Sequence, residues 1–285
     1  MHLPPEHAAP PPVHRLDGHI LFAPLRVLTK RKPLIRALVR RDLESAFRGT
    51  VLGWLWVILA PLFMLAVYTF AFGIVFGAQW RDREPAPFLF PMLYFAGLLL
   101  FGLFTTSLSR APNLMRDNAT YIRQIVFPVQ IFVPVVLGSE LVKFAIGLAI
   151  LLVAYLLLMG VPPLAALSYP VPLIGLVLFS AGISWAVSAV SVFVRDLGQA
   201  MQPATMVLLF LSPLFYPLSV VPEPIRWLFY LNPLAFPLEA TRNALFFGEW
   251  PSLTGSLIYL FAGWLCAVAG LAFFQRLRPG FADVL

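Results

Sequence analysis

Apolar residues fill most of the chain in long runs, and the gaps between charged residues set the elements. No charged residue lies between Arg48 and Arg81, which leaves 32 positions for one apolar helix. Another 25 positions are free of charge between Glu84 and Arg110. A helix needs about 20 mostly apolar residues to cross a bilayer, so each gap predicts one crossing. From Lys143 to Arg195 the gap is 51 positions, too long for a single crossing. The stretch "GVPPLAALSYPVP" at 160–172 divides it, because its glycine and prolines end one helix and start the next. Continued to the C-terminus, the pattern predicts six spans at about 51–77, 88–108, 129–159, 171–194, 203–220 and 252–275. An even number puts both chain ends on one side.

Just before the first span, "PLIRALVRRDLESAFRG" follows a different period. Ile35, Leu38, Val39, Leu43, Ala46 and Phe47 share one helical face, while Arg36, Arg40, Glu44 and Arg48 recur four apart on the other. This predicts an amphipathic helix over 33–48 lying on the membrane surface, with Arg36, Arg40, Arg41 and Arg48 at headgroup level. It serves either as a simple anchor or as a lever touching a cytoplasmic partner. Residues 1–32 are rich in proline and histidine and read as a disordered cytoplasmic leader without the apolar core of a signal peptide. His2, His7, His14 and His19 all fall in this leader, and their spacing matches no familiar metal-ligand pattern, so no metal site is expected.

Composition fixes the class. Hydrophobic residues make up 60% of the chain, charged residues 12%, and the mean hydropathy is +0.86. Soluble domains carry about 25% charged residues, so this is an all-α integral membrane protein. One membrane domain occupies 49–275, and 276–285 forms a cytoplasmic tail. Cys266, the single cysteine, lies inside an apolar run and has no partner for an intrachain disulfide. Lysine and arginine number fifteen on the side of the termini and four on the other, with Lys143 inside a span. By the positive-inside bias, both termini are cytoplasmic. Orientation thus explains the net charge of +7 without a nucleic-acid partner.

Four further features carry candidate chemistry. Glu140 and Lys143 are ionisable groups within the third span, about 16 Å along it for Glu140 and so near mid-membrane. Three residues apart, they are expected to pair with each other or with a polar group of the bundle, because a lone charge there costs at least a few kcal/mol. "SRAPNLMRDNATYIRQIVFP" at 109–128 is the longest basic connection inside the cell, and a short helix is expected between Pro112 and Pro128. "YLNPLAFPLEATRNALFFGEW" at 230–250 is apolar yet broken by Pro233 and Pro237 and charged by Glu239, Arg242 and Glu249. Broken helices survive at membrane depth only inside protein or beside a water-filled cavity. The region 222–250 is therefore expected to form two re-entrant helices, near 224–231 and 235–246, carrying Asn232, Glu239 and Arg242 on the external side. Finally, Tyr68, Phe72 and Phe76 recur every four residues in the first span, and Phe90, Tyr94 and Phe101 share a face of the second. These six are a candidate channel wall, and packing between helices is the plainer alternative.

Several stretches together resemble one family. "RGTVLGWLWVILAPLFMLAVYTFAFGIVFG" (48–77), "SELVKFAIG" (139–147), "SVFVRDLGQ" (191–199) and "YPLSVVPEPIRWLFYLNPL" (216–234) resemble the permease subunit of type-2 ABC exporters of bacterial polysaccharides such as O-antigen. The likeness runs from about Pro33 to the C-terminus. It implies a homodimer in the bacterial inner membrane, joined to two copies of a separate cytoplasmic ATPase and moving a lipid-linked polysaccharide. ATP and magnesium would bind that ATPase, and this chain would bind no cofactor. Arg110, Arg116, Asp117 and Arg123 in the 109–128 loop would contact the ATPase. Aromatic side chains, chiefly from the first and fifth spans, would line the channel, with re-entrant helices at its outer mouth. The sequence agrees on energy supply, because a phosphate-binding loop needs Lys followed by Ser or Thr. Lys30, Lys32 and Lys143 are followed by Arg31, Pro33 and Phe144. Two other classes remain open: an ion-coupled transporter, for which Glu140 and Lys143 are the only intramembrane charges, and a membrane-embedded glycan-modifying transferase, for which no histidine lies beyond position 19.

Overall fold

Where the charge gaps are long, the chain forms long helices. The computed structural model describes residues 20–46, 48–77, 88–122 and 127–284, and among these all regular structure is helical. Two helices precede the first apolar run, α1 (Ala23–Lys30) and α2 (Lys32–Ala46). Next come α3 (Trp56–Tyr68), which continues as a π-helix over Thr69–Val75, and α4 (Leu89–Arg110). The single turns α5 (Leu114–Asp117) and α6 (Ala119–Ile122) lead to α7 (Phe132–Leu158), α8 (Pro170–Phe193) and α9 (Leu197–Leu211). The chain closes with α10 (Glu223–Tyr230), α11 (Ala235–Phe246), α12 (Leu253–Leu277) and the short α13 (Phe281–Val284). Among the described residues five stretches are long and apolar enough to cross a bilayer: Gly53–Val75, Leu89–Arg110, Val129–Leu158, Leu164–Phe193 and Leu253–Gly280. They coincide with five of the six expected spans.

The expected fifth span, 203–220, is displaced. The helix there, α9, starts at Leu197 and stops at Leu211, so its 15 residues cover about 22 Å. Pro213 forces the stop, because the residue before a proline is driven out of the helical region, and Ser212 is extended (ψ 138°). The apolar pattern runs straight through "SPLFYP" and hides that break. Other boundaries differ less. Pro203 sits inside α9 rather than at its start. α1 lies within the segment expected to be a disordered leader, because Leu21, Leu25 and Leu28 repeat at helical spacing and Pro24 occupies the first turn. Residues 1–19, with all four histidines, lie outside the described residues, as does Phe47.

Contacts along the helices set their directions: α7 runs antiparallel to α4 and α8, and α12 runs parallel to α8. At the end rich in basic residues, Trp185 Nε1 donates to the Gln130 carbonyl at 2.9 Å, and the Phe193 and Phe274 rings both pack on Phe281. At the other end, rich in aromatic rings, Tyr259 near the start of α12 donates to the Pro233 carbonyl at 2.7 Å. Between these ends polar side chains satisfy themselves on their own helix. Thr105, Ser107 and Ser180 each donate to the carbonyl four residues back, as an apolar solvent requires.

Burial is uneven. α4 is the hub of the main apolar cluster and is largely buried, whereas α3 is largely exposed. α9 has no buried residue. By contrast α8 and α12 meet backbone to backbone. A Cβ added at Gly270 would strike the backbone of Gly182, and one at Gly263 would lie 2.8 Å from the Gly175 carbonyl oxygen. Gly175 and Gly182, like Gly263 and Gly270, are two helical turns apart, so each pair lies on one line of its helix. Small residues in register let membrane helices gain dispersion contacts that larger ones forbid.

Candidate functional site

The amphipathic pattern of α2 forms close to where it was expected, ending at Ala46. Its Leu43 is buried, and Val39 lies so close to Gly138 of α7 that a Cβ there would stand 2.7 Å from it. Arg36, Arg40, Arg41 and Arg48 are exposed, and Arg40 pairs with Glu44 at 2.8 Å along the outer face.

On the inner side of α2, Asp42 meets the end of α4. Arg110, the last residue of α4, clasps Asp42 with both terminal guanidinium nitrogens, Nη2 donating at 2.6 Å and Nη1 at 3.0 Å. The same Arg110 reaches Glu140 at 3.4 Å, and Lys143 donates to Glu140 at 2.8 Å. The expected pairing of Glu140 with Lys143 is therefore present, within a four-residue network joining α2, α4 and α7. Glu140 stands level with the end of α4, not midway along the bundle. The apolar stretch containing α7 opens at Val129, eleven residues before Glu140, so its start extends past the end of α4 towards the basic end. Burial raises the Asp42 carboxyl, but hydrogen bonds from Arg110 and Ser139 and the charges of Arg110 and Lys143 outweigh it, leaving the group below its ordinary value.

The expected helix between Pro112 and Pro128 is two single turns, α5 and α6. Asn118 ends the first, its side chain donating to the Leu114 carbonyl at 2.9 Å. Arg116 turns inward and donates to the Ser191 carbonyl of α8 at 2.5 Å, while Asp117 is exposed. Arg123 lies outside the described residues. Sequence reasoning missed Tyr121, which accepts from Arg41 at 2.8 Å and lies beneath its guanidinium at 5.7 Å. A cavity of about 340 Å³ separates α2 from α5, lined by Arg41, Asp42, Ser45, Arg110, Asn113 and Asp117 among others.

At the opposite end the two aromatic stripes face each other. Tyr68 meets Tyr94 edge-on at 4.9 Å, and Phe72 contacts Tyr94 at 5.2 Å, Phe90 at 5.4 Å and Phe76 at 6.0 Å. Phe215, missed in the sequence, stacks on Tyr94 at 4.8 Å and brings the segment after α9 into the cluster. Phe90, Tyr94 and Phe101 are buried, Tyr68 and Phe72 are half-buried, and Phe76 is 71% exposed. The α4 stripe thus packs against α3 and backs the cluster, leaving only the α3 stripe open outward.

The reversal after α9 is held by the three residues expected there. Asn232 donates to the Leu211 carbonyl at 3.0 Å and to the Ser212 hydroxyl at 2.9 Å, and accepts from the Leu234 amide at 2.9 Å. Glu239 accepts from the Leu218 amide at 3.2 Å, and the buried Arg242 donates to the Pro213 carbonyl at 2.6 Å. Two short helices, α10 and α11, form where they were expected, and their polar groups satisfy the backbone that Pro213 and Pro217 leave irregular.

Comparison with known proteins gives the same shape of answer. O-antigen export system permease protein RfbA of Klebsiella pneumoniae is 26% identical over 254 residues, covering 88% of this chain and 95% of the relative. RfbA of Myxococcus xanthus is 28% identical over 78% of the chain and 84% of the relative. Polysialic acid transport protein KpsM of Escherichia coli is 23% identical over 75% of the chain and 82% of the relative. The pattern of the ABC-2 type transporter family matches residues 33–246, from the start of the amphipathic helix to the end of α11. With most of its length matched in this way, this multi-pass membrane protein belongs to the ABC-2 type transporter family.

Proposed function

We propose that the chain is the membrane-spanning subunit of an exporter that carries a lipid-linked polysaccharide across the bacterial inner membrane, driven by ATP hydrolysis on a separate chain. Family membership and the names of the relatives supply the class, O-antigen and polysialic acid both being polysaccharides. The observation that carries the reading to this chain is its uneven burial. Both α3 and α9 pack on the buried α4, yet each leaves an apolar face uncovered, with Phe63 at 68% and Phe210 at 67% exposure. A second copy of the chain would cover those faces and enclose a path between them, with Tyr68, Phe72 and Phe76 at its aromatic end.

The six-crossing arrangement with cytoplasmic termini fits the contacts around α9. Ser109 and Thr205 lie 3.5 Å apart towards the basic end, and Asn232 holds Leu211 at the aromatic end. In this reading α9 and residues 212–217 make the fifth crossing, and α10 and α11 are the re-entrant pair at the outer mouth. At the basic end, α5, α6 and the exposed Asp117 face the cytoplasmic ATPase, two copies of which hold ATP and magnesium. Because Arg41 bonds Tyr121, a push on this loop reaches α2 directly, which favours the lever over the simple anchor. The test is reconstitution into vesicles with and without the cognate ATPase. ATP-dependent passage of a polyprenyl-linked polysaccharide is expected only when both chains are present. Passage driven by an ion gradient through this chain alone would overturn the reading.

A further inference from the structure

α1 carries three different faces on two turns. Pro24 and Val27 are buried against the bundle, where the helix packs on α12 and on the turn that opens α7. Leu21 and Phe22 just before it, with Leu25 and Leu28 on it, make an apolar face between 45% and 56% exposed. Arg26 and Lys30, four apart, form a basic stripe that Arg31 extends, and all three are exposed. Leu25, Leu28 and the basic stripe therefore meet water or membrane together, an arrangement that suits the boundary between acyl chains and headgroups.

The three cations also share one place. Arg26, Lys30 and Arg31 line a cavity of about 420 Å³, whose floor is built by Pro128, Ile131 and Gln275 with Ala23 and Val27. Among the described residues no ion pair engages these three cations: from Gly18 to Arg41 the sequence holds no Asp or Glu, and Asp42 is engaged by Arg110. Arg276 and Arg278, at the end of α12, add to the same basic end. Three cations that form no ion pair among the described residues, around a mostly apolar hollow and beside a row of exposed leucines, match a ligand with a phosphate at one end and hydrocarbon at the other.

We infer that α1 and the cavity beside it bind an anionic phospholipid, with the phosphate among Arg26, Lys30 and Arg31 and the acyl chains along Leu25 and Leu28. The site is separate from the α3–α9 path, and the inference needs neither the exported substrate nor the ATPase. Each cation near an anionic surface contributes about fivefold in affinity, so removing three leaves a large deficit.

The experiment uses the full-length chain in detergent with added phosphatidylglycerol or phosphatidylcholine, both of which carry a phosphate but only the first a net charge. Retained lipid is counted by native mass spectrometry. The wild type should retain phosphatidylglycerol at least about tenfold better than phosphatidylcholine and lose that preference as salt is raised. The triple variant R26Q/K30Q/R31Q should lose it in low salt, and the charge-keeping R26K/K30R should keep it. Equal retention of the two lipids by the wild type overturns the inference, and that result depends on no variant folding. So does undiminished phosphatidylglycerol retention by the triple variant. If the triple variant instead loses the co-purifying ATPase while its lipid retention is unchanged, the surface is a protein interface and the inference fails.

Discussion

At Asp42 one carboxylate fastens a surface helix to the bundle. Its bidentate clasp by Arg110 is stronger and more directional than a single contact, and Arg110 shares its remaining reach with Glu140. We expect Asp42→Asn to lower stability by about 1–2 kcal/mol at neutral pH, between the worth of an exposed pair and that of a buried one. Because the folded carboxyl titrates below its ordinary value, the stabilisation is present above about pH 4 and disappears as pH falls through that lower folded value. Thermal unfolding of the purified chain between neutral and about pH 3 checks this; Asn at 42 should flatten the acid limb, and equal stability at neutral pH would contradict it. Half of this network was legible in the sequence. Glu140 and Lys143 are three apart on one helix, a separation that local geometry determines. Asp42 and Arg110 are 68 residues apart, and nothing in the spacing of either announces the other.

Among the elements, the tightest joint is α8 against α12. The glycines there leave no room for a side chain: at Gly182, Gly263 and Gly270 the nearest atom that a new Cβ would strike belongs to backbone, which cannot rotate away, and at Gly175 it belongs to the Tyr259 ring. Gly270→Val should cost about 3 kcal/mol or more, at the upper end of overpacking. Gly102→Ala in α4 makes an internal control: a Cβ there meets nothing within 4 Å, so the change should be neutral or slightly stabilising. Thermal unfolding of the two variants in the same detergent separates the predictions. Length and charge gaps made the helices themselves legible, while this pairing was not, since glycines seven apart also occur where a helix merely tolerates them. The early stop of α9 was legible in principle. Ser212–Pro213 is a helix-ending dipeptide, and continuous hydrophobicity masked it because hydropathy does not register backbone hydrogen bonding.

For the molecule as a whole, the distribution of exposure matters more than any single contact. The aromatic rings were legible as stripes, but which stripe is buried depends on the neighbours that a helix acquires, so Phe90, Tyr94 and Phe101 went inside while Phe76 stayed out. The path proposed along α3 makes a specific demand on Tyr68 and Phe72. Replacing both with leucine keeps apolar volume against Tyr94 and Phe90 but removes the flat faces. Export in reconstituted vesicles should fall about tenfold, the combined worth of two aromatic contacts, with membrane content and ATPase association unchanged. Undiminished export would mean that these rings serve packing alone.

The π-helical end of α3 has a consequence for the length of the sequence itself. Phe76 bonds back to Ala71, five residues away, so Thr69–Val75 holds roughly one residue more than an α-helix of equal length. The chain thus carries an insertion already accommodated in its geometry, next to Gly77, whose positive φ of 55° ends the run. Deleting one residue between Thr69 and Val75 restores an ordinary helix with both ends close to where they were. The same deletion in the middle of α4 would rotate everything after it by about 100° and turn its buried face outward.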